Sequence, residues 1–282
     1  MKTFLTIAIS LAFATAAVRA QTAANYQSVI SGQSPSYIFN FDSSSLSSVG
    51  NTATFTAHGT AGFASDAWGT ANDAVSVSAL TDYFSLTSPQ IISGEGTSTA
   101  IGSMSMLFYM PATVPGTGYL FSGGDASPAF SLGMSTGNFY LKLKNKTQNA
   151  LPVPTANTWY YFGLTYDCSS VSPGYGVNWY LGAVGGSLST GFIQNGGTGG
   201  NLSATTAVGT ANTFNLGNKV TGTTSIVGSE IDELATWTTA LSSTQINSQF
   251  SALIVPVPEP SACILFGAGG LLVLWVRRTF RA

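Results

Sequence analysis

Residues 103–110, Ser-Met-Ser-Met-Leu-Phe-Tyr-Met, alternate so that Met104, Met106, Phe108 and Met110 share one side of an extended chain. A strand with four large apolar side chains on one face must bury that face along its whole length. The pattern recurs. Tyr37, Phe39 and Phe41 line one face of a second strand, and Tyr160, Phe162, Leu164 and Tyr166 are expected to be buried from a third at 159–167. Further strands are expected at 52–56, 74–77, 83–86, 119–121, 129–134, 139–146, 176–181, 213–216 and 230–237. Gly, Ser, Thr and Asn clusters punctuate them, and helical periodicity is nearly absent. About a dozen short strands imply two packed sheets, so the expected fold class is all-β, a two-sheet antiparallel jelly-roll sandwich. Residues 182–212, low in charge and rich in Gly, Ser and Thr, read as long loops with one weak strand at most.

One helix is well specified. Ser242 with Gln245 three residues on makes a capping box, Leu241 and Ile246 make the matching hydrophobic staple, and Ile246, Phe250 and Leu253 form a helical stripe. A short C-terminal helix is therefore expected, docked by that stripe on an edge of the sandwich. Val255-Pro256-Val257-Pro258 forces extended chain after it, which makes residues 254–260 a linker.

The two ends serve export. Met1 and Lys2 give a positive start, Phe4 to Ala14 an apolar run, and Val18-Arg19-Ala20 a small residue for signal peptidase, so residues 1–20 read as a signal peptide and its helix, cut before Gln21. The run from Ser261 to Val276 is about 24 Å long as a helix against about 30 Å of bilayer hydrocarbon, which suits a transient span. Arg277, Arg278 and Arg281 follow it, and the positive-inside rule leaves them in the cytoplasm with the body outside. Residues 261–282 are thus a transmembrane helix with a basic tail, and residues 21–253 one exported domain.

Charge narrows the partners. Between residues 21 and 256 there are four lysines, no arginine and ten carboxylates, a net charge of −6. Nucleic-acid binding rests on neutralised phosphates, so this balance argues against nucleic acid as a partner. Cys263 lies in the terminal helix and Cys168 in the body, so no disulfide closes within the domain. Cys168 reads as a partly buried thiol and not a reactive one.

Val257-Pro258-Glu259-Pro260, the short apolar helix and the terminal arginines closely resemble the PEP-CTERM sorting signal of Gram-negative bacteria. The resemblance implies Pro258, Glu259, Pro260, Arg277 and Arg278 as the sorting motif. It also implies an exosortase-type processing enzyme as a partner beside signal peptidase, transient residence in the inner membrane, and then the cell surface or extracellular matrix as destination. The body resembles the laminin G-like, or concanavalin A-like, jelly rolls. Thr155 to Asp167 looks like that family's loop, Trp and strand ending in Tyr-Asp, and Phe214 to Gly217, Ile231 to Leu234 and Ala240 to Ser242 look like its closing segments. Val177 to Gly182 departs from the family's Tyr-x-Asp-Gly turn, with Leu181 where the Asp would stand. This resemblance implies a non-catalytic domain that contacts polysaccharide, such as exopolysaccharide, or another surface protein. It also embraces glycan-active hydrolases or lyases and structural matrix units without a specific ligand. Some laminin G-like domains bind Ca²⁺ at a sheet rim, but the spacing of Asp125, Asp167 and Asp232 singles out no ligand set. No cofactor is expected beyond the Ca²⁺ that the resemblance admits.

Glycoside hydrolases on this jelly roll carry a Glu-x-Asp-x-Glu strand, whose alternation brings nucleophile and acid/base to one face. In Glu230-Ile231-Asp232-Glu233-Leu234 the last position is Leu, and alternation sends Glu233 to the face opposite Glu230. Asp232 and Glu233 are therefore expected to accept backbone N–H bonds, and no catalytic residue is assigned. His58, the single histidine, has no nucleophile motif beside it, and no His or Cys cluster has metal-ligand spacing. Tyr140, Lys142, Lys144 and Lys146 line one face of the strand expected at 139–146. Lys142, Lys144 and Lys146 either keep an exposed strand from pairing with neighbours or contact an acidic polysaccharide.

Overall fold

The computed structural model of the chain describes residues 23–86, 101–123, 130–143, 146–170, 172–194, 213–219 and 224–253. The signal peptide, the linker with Pro258, Glu259 and Pro260, the apolar run, Arg277 and Arg278 lie outside the described residues, as do Lys144 and Asp125. Among the described residues no helix is long and apolar enough to cross a membrane.

Two antiparallel sheets pack face to face. The larger runs β13 (Leu188–Gln194), β12 (Gly176–Ala183), β11 (Thr158–Asp167), β6 (Ile101–Met110), β15 (Glu230–Trp237), β4 (Ala74–Ser76) and β3 (Gly62–Ala64), with β1 (Tyr37–Phe39) also paired to β15. The smaller runs β10 (Lys146–Leu151), β9 (Asn138–Leu143), β8 (Phe130–Ser135), β7 (Gly118–Gly123), β14 (Phe214–Leu216), β5 (Tyr83–Leu86) and β2 (Thr56–His58). The strands with the clearest alternation form the centre: β6 and β11 pair over their full length, from Thr158 opposite Met110 to Asp167 opposite Ile101.

The inner layer is the one the alternation predicts. Met104, Met106, Phe108 and Met110 meet Tyr160, Phe162, Leu164 and Tyr166 there, all buried. Phe121 of the opposite sheet lies with its ring centroid 6.1 Å from that of Phe162. Cys168 is buried in the same layer, and that burial, with Asp167 beside it, pushes its thiol up to about 11, which suits an unreactive side chain.

The larger sheet is covered on its outer face as well. Leu107, Tyr161, Tyr180, Ala235 and Trp237, the alternate set of the same strands, form a second buried cluster with two helices. One is α2 (Ser243–Ala252), which has the expected capping box: the Gln245 N–H donates to Ser242 Oγ at 3.3 Å and the Ser242 N–H to Gln245 Oε1 at 3.0 Å. Its stripe of Ile246, Phe250 and Leu253 packs on the sheet's outer face, not on an edge, because Tyr161 and Trp237 offer a wide apolar surface there. The other is α1, residues 23–32, which the sequence did not announce; it adds Tyr26 and Ile30. Tyr161 Oη donates to Gln249 Oε1 at 2.7 Å, Gln249 Nε2 to Gln33 Oε1 at 2.6 Å, and Trp237 Nε1 to the Gln33 carbonyl at 3.0 Å, so sheet, α2 and the end of α1 share one polar network.

Three local expectations change. The run 139–146 is not one strand: β9 ends at Leu143 and β10 starts at Lys146, with Lys146 in register with Leu143 and Thr147 in register with Lys142. The strand expected at 52–56 is β2 at 56–58, paired with β5, and Thr54 has only an isolated bridge to Ser47. β12 runs through Leu181 to Ala183 without a turn, and Leu181 is buried where the family pattern has an Asp.

Asp82 clamps the loop before β5. Its carboxylate accepts the N–H groups of Thr60, Ser78 and Ala79 and the hydroxyls of Thr60 and Ser78. Burial raises its pKa, but these donors outweigh burial and hold it below the usual carboxylate range. Gly59, at φ +73°, belongs to the same clamp, since a Cβ there would stand 2.3 Å from Asp82 Oδ1.

Candidate functional site

Four places in the fold could carry function, and three of them are closed or incomplete. The first is the carboxylate group of β15. Its pairing with β6 slips between Asp232 and Ala235, a β-bulge with Glu233 in the left-handed region at φ +52°. The bulge cancels the alternation: Glu233 does not point away from α1 but accepts from Gln27 Nε2 at 2.7 Å. The same Gln27 amide donates to Asp42 Oδ2 at 3.2 Å, and Asn40 Nδ2 donates to that oxygen at 2.5 Å. Asp232 Oδ1 accepts the Glu233 N–H at 2.7 Å, the backbone role expected of it.

Burial dominates the electrostatics here. It raises Glu233 to about 8, with Asp42 and Asp66 pushing the same way and the Gln27 bond opposing. It raises Asp232 well above the carboxylate range, reinforced by Glu233. Burial also lifts the half-buried Glu230 to about 7. Raised carboxyls are what a general acid needs. Asp232 and Glu233 are each only 1% exposed, however, so a glycosidic oxygen has no path to them. Among the described residues no group of three or more His, Cys, Asp or Glu could hold a metal ion. Asp167 accepts from the N–H and hydroxyl of Ser169, a turn-capping role.

The second is His58, whose Nε2 lies 2.8 Å from Ser85 Oγ while its ring stacks on Tyr83 at 4.1 Å between centroids. Residue spacing holds no hint of this pair, which lies 27 positions apart. No carboxylate orients the ring's other nitrogen among the described residues, so the third member of a triad is not supplied. The third is the β9–β10 hairpin, which holds Lys142 and Lys146 on two strands in place of one stripe.

The fourth is open and built from three elements. Asn178 and Tyr180 face outward from β12, and across the ladder Phe192 stands opposite Asn178 and Thr190 opposite Tyr180. Ser243 and Asn247, one turn apart on α2, close the third side and leave a groove of about 350 Å³. Phe192 is 45% exposed, the one aromatic among the exposed large apolar side chains described. Tyr180 is the buried floor, and no charged residue lines the groove. Gly191 lets β13 settle on Trp179, because a Cβ there would lie 2.4 Å from the indole. The sequence admitted at most one weak strand among long loops here, and β13 is that strand; the alternation of Thr190 and Phe192 against Gly191 and Ile193 was the available signal.

No protein-family model and no curated protein sequence matches the chain. Solved structures similar in fold include botulinum neurotoxin type C, from work on its cell entry through two ganglioside molecules, at 14% identity and TM-score 0.54 over 78% of this chain and 51% of that one. The binding domain of botulinum neurotoxin DC, in complex with rat synaptotagmin II, matches at 14% identity and TM-score 0.53 over 78% and 52%. Domain 4 of AbnA, an extracellular arabinanase of Geobacillus stearothermophilus in complex with arabinotriose, matches at 16% identity and TM-score 0.50 over 76% and 97%. The chain spans about half the length of the neurotoxin chains it matches. At these identities the likeness is one of fold alone, a β-sandwich.

Proposed function

We propose that this protein is an exported, non-catalytic binding domain of the laminin G-like kind that contacts a surface glycan or another surface protein. The observation that carries this reading is the open groove between β12, β13 and α2, where an exposed aromatic ring stands among amides and hydroxyls. A few convergent polar groups around an apolar element are what ligand sites share. The similar folds support it, since they are described with ganglioside molecules, with rat synaptotagmin II and with arabinotriose. Retention of the full chain on cell-surface polysaccharide and on intact cells tests it. Retention without release of reducing sugar is expected, and Phe192→Ala should lower it severalfold. Equal retention of the variant would remove the groove, and sugar release abolished by Glu230→Gln would promote a hydrolase.

A second contact is proposed at the β9–β10 hairpin on charge alone. Lys142 and Lys146 on β9 and β10, with Lys144 between the strands in sequence, are three of the four lysines in the body. If they meet acidic exopolysaccharide, retention should weaken as salt rises and fall when all three become Gln. A contact indifferent to salt, or to the triple change, would dismiss this reading.

Export rests on the two terminal segments. Signal peptidase and an exosortase-type enzyme are the proposed processing partners, with transient passage through the inner membrane before the cell surface or matrix. Mass spectrometry of the extracellular protein should show a start near Gln21 and loss of the residues after Pro260. Recovery of the intact C-terminus through Ala282 would count against removal of the tail.

A further inference from the structure

We infer that the groove takes a neutral oligosaccharide, with the C–H face of one sugar ring laid on Phe192 and its hydroxyls on the Asn178 and Asn247 amides. This rests on the binding reading above and narrows it to a ligand class. A sugar ring has two surfaces, an apolar face of C–H groups and a rim of hydroxyls that both donate and accept. The groove supplies a counterpart for each. Phe192 offers a flat, 45% exposed ring with no hydroxyl of its own. Asn178, Asn247, Thr190 and Ser243 offer amides and hydroxyls, which also donate and accept at once.

The chemistry of the lining selects among ligands. An acidic sugar would need a cation to offset the desolvation of its carboxylate, and neither Lys nor Arg lines the groove. The net charge of −6 between residues 21 and 256 also disfavours the approach of a polyanion at low salt. A protein partner would need a buried contact on the order of 800 Å² per side, whereas one ring and one cleft of about 350 Å³ suit a small ligand.

The site is also held before any ligand arrives. The β12–β13 ladder fixes Asn178 opposite Phe192, Trp179 packs beneath Gly191, and the capping box anchors the α2 turn that bears Ser243. Such preorganisation lowers the ordering cost of binding.

Calorimetric titration of the full chain tests the inference, with arabinotriose, cellotriose and mannotriose as neutral probes and trigalacturonate as the acidic one, at low and physiological salt. A neutral trisaccharide should bind with an affinity that salt does not change. Phe192→Tyr should keep that affinity within about twofold, while Phe192→Leu and Phe192→Ala should weaken it about tenfold or more, because leucine keeps apolar bulk and loses the flat face. Thermal melts of each variant should match the parent, since Phe192 is at the surface. Binding confined to trigalacturonate and weakened by salt overturns the neutral class and leaves glycan binding standing. Neutral binding that survives Phe192→Leu overturns the stacking platform. Loss of every sugar signal, with retention on a surface protein, overturns the inference and keeps the broader reading; loss of both overturns both.

Discussion

Replacing Phe162 by Ala should destabilise the protein by about 3 to 5 kcal/mol, the range for removing a fully buried aromatic ring from a core. The position explains the size. Phe162 is at the middle of β11, in register with Met106 on one side and Leu181 on the other, and is 0% exposed. Across the layer its ring approaches Phe121 of the smaller sheet, so the lost volume opens between the sheets, where both ladders resist collapse. A domain with a total stability of about 5 to 15 kcal/mol has little margin for that change. Denaturant unfolding measures it, with Phe192→Ala as the surface control, expected within about 0.5 kcal/mol of the parent. A loss below about 1 kcal/mol for Phe162→Ala would mean that the two sheets are not closed over β11.

Much of this architecture was legible because its central strands carry regular alternation. Met104 to Met110 and Tyr160 to Tyr166 declare one buried face each, and Ser242 with Gln245 declares the start of α2. The misreadings share a cause, a change of parity. Alternation transfers a face assignment along a strand only while the strand is unbroken. β9 ends at Leu143 and β10 begins with Lys146 in register with Leu143, not with Lys142, and the bulge at Glu233 returns that side chain to the face of α1. Neither break has a Gly or Pro to mark it. Helix α1 escaped for another reason: Tyr26 and Ile30 are a single helical repeat, too little to stand out beside a signal peptide, and the helix is defined by the apolar face it covers.

The groove could not be read at all from one segment. Asn178, Phe192 and Asn247 come from β12, β13 and α2, and only the sheet register brings the first two opposite each other. Spacing within one strand points to Glu230, Asp232 and Glu233 and carries no trace of Phe192. The structure reverses that weighting: Asp232 and Glu233 are sealed, Glu230 is half-buried, and the phenylalanine is open.

Sealed acids make a strong prediction about pH. Glu233, with a folded pKa raised to about 8 by burial first and by Asp42 and Asp66 next, holds a proton that the unfolded chain gives up near 4.5. The charged groups facing it are all acidic: Asp42, Asp66 and Asp232, with the Tyr26 hydroxyl and the Gln27 amide from α1. Between those two pH values the folded state binds more protons than the unfolded state, so stability falls as pH rises, by about 1.4 kcal/mol per pH unit for each such group. Asp232, raised by burial and by Glu233, acts in the same direction. Asp82 acts in the opposite one: its lowered pKa gives stability above the unfolded value of 3.8 that is lost only as pH falls through the folded value. Denaturant midpoints should therefore be highest near pH 5 and drop steadily toward pH 8, a loss of several kcal/mol on this arithmetic. Glu233→Gln, which keeps an amide oxygen for Gln27 and has no proton to lose, should flatten that slope and leave the variant more stable than the parent at pH 8, with little change at pH 5. A parent stability that stays level or rises across this range would show that the carboxyl ionises freely in the folded protein, and a variant slope as steep as the parent's would move the titration to another group.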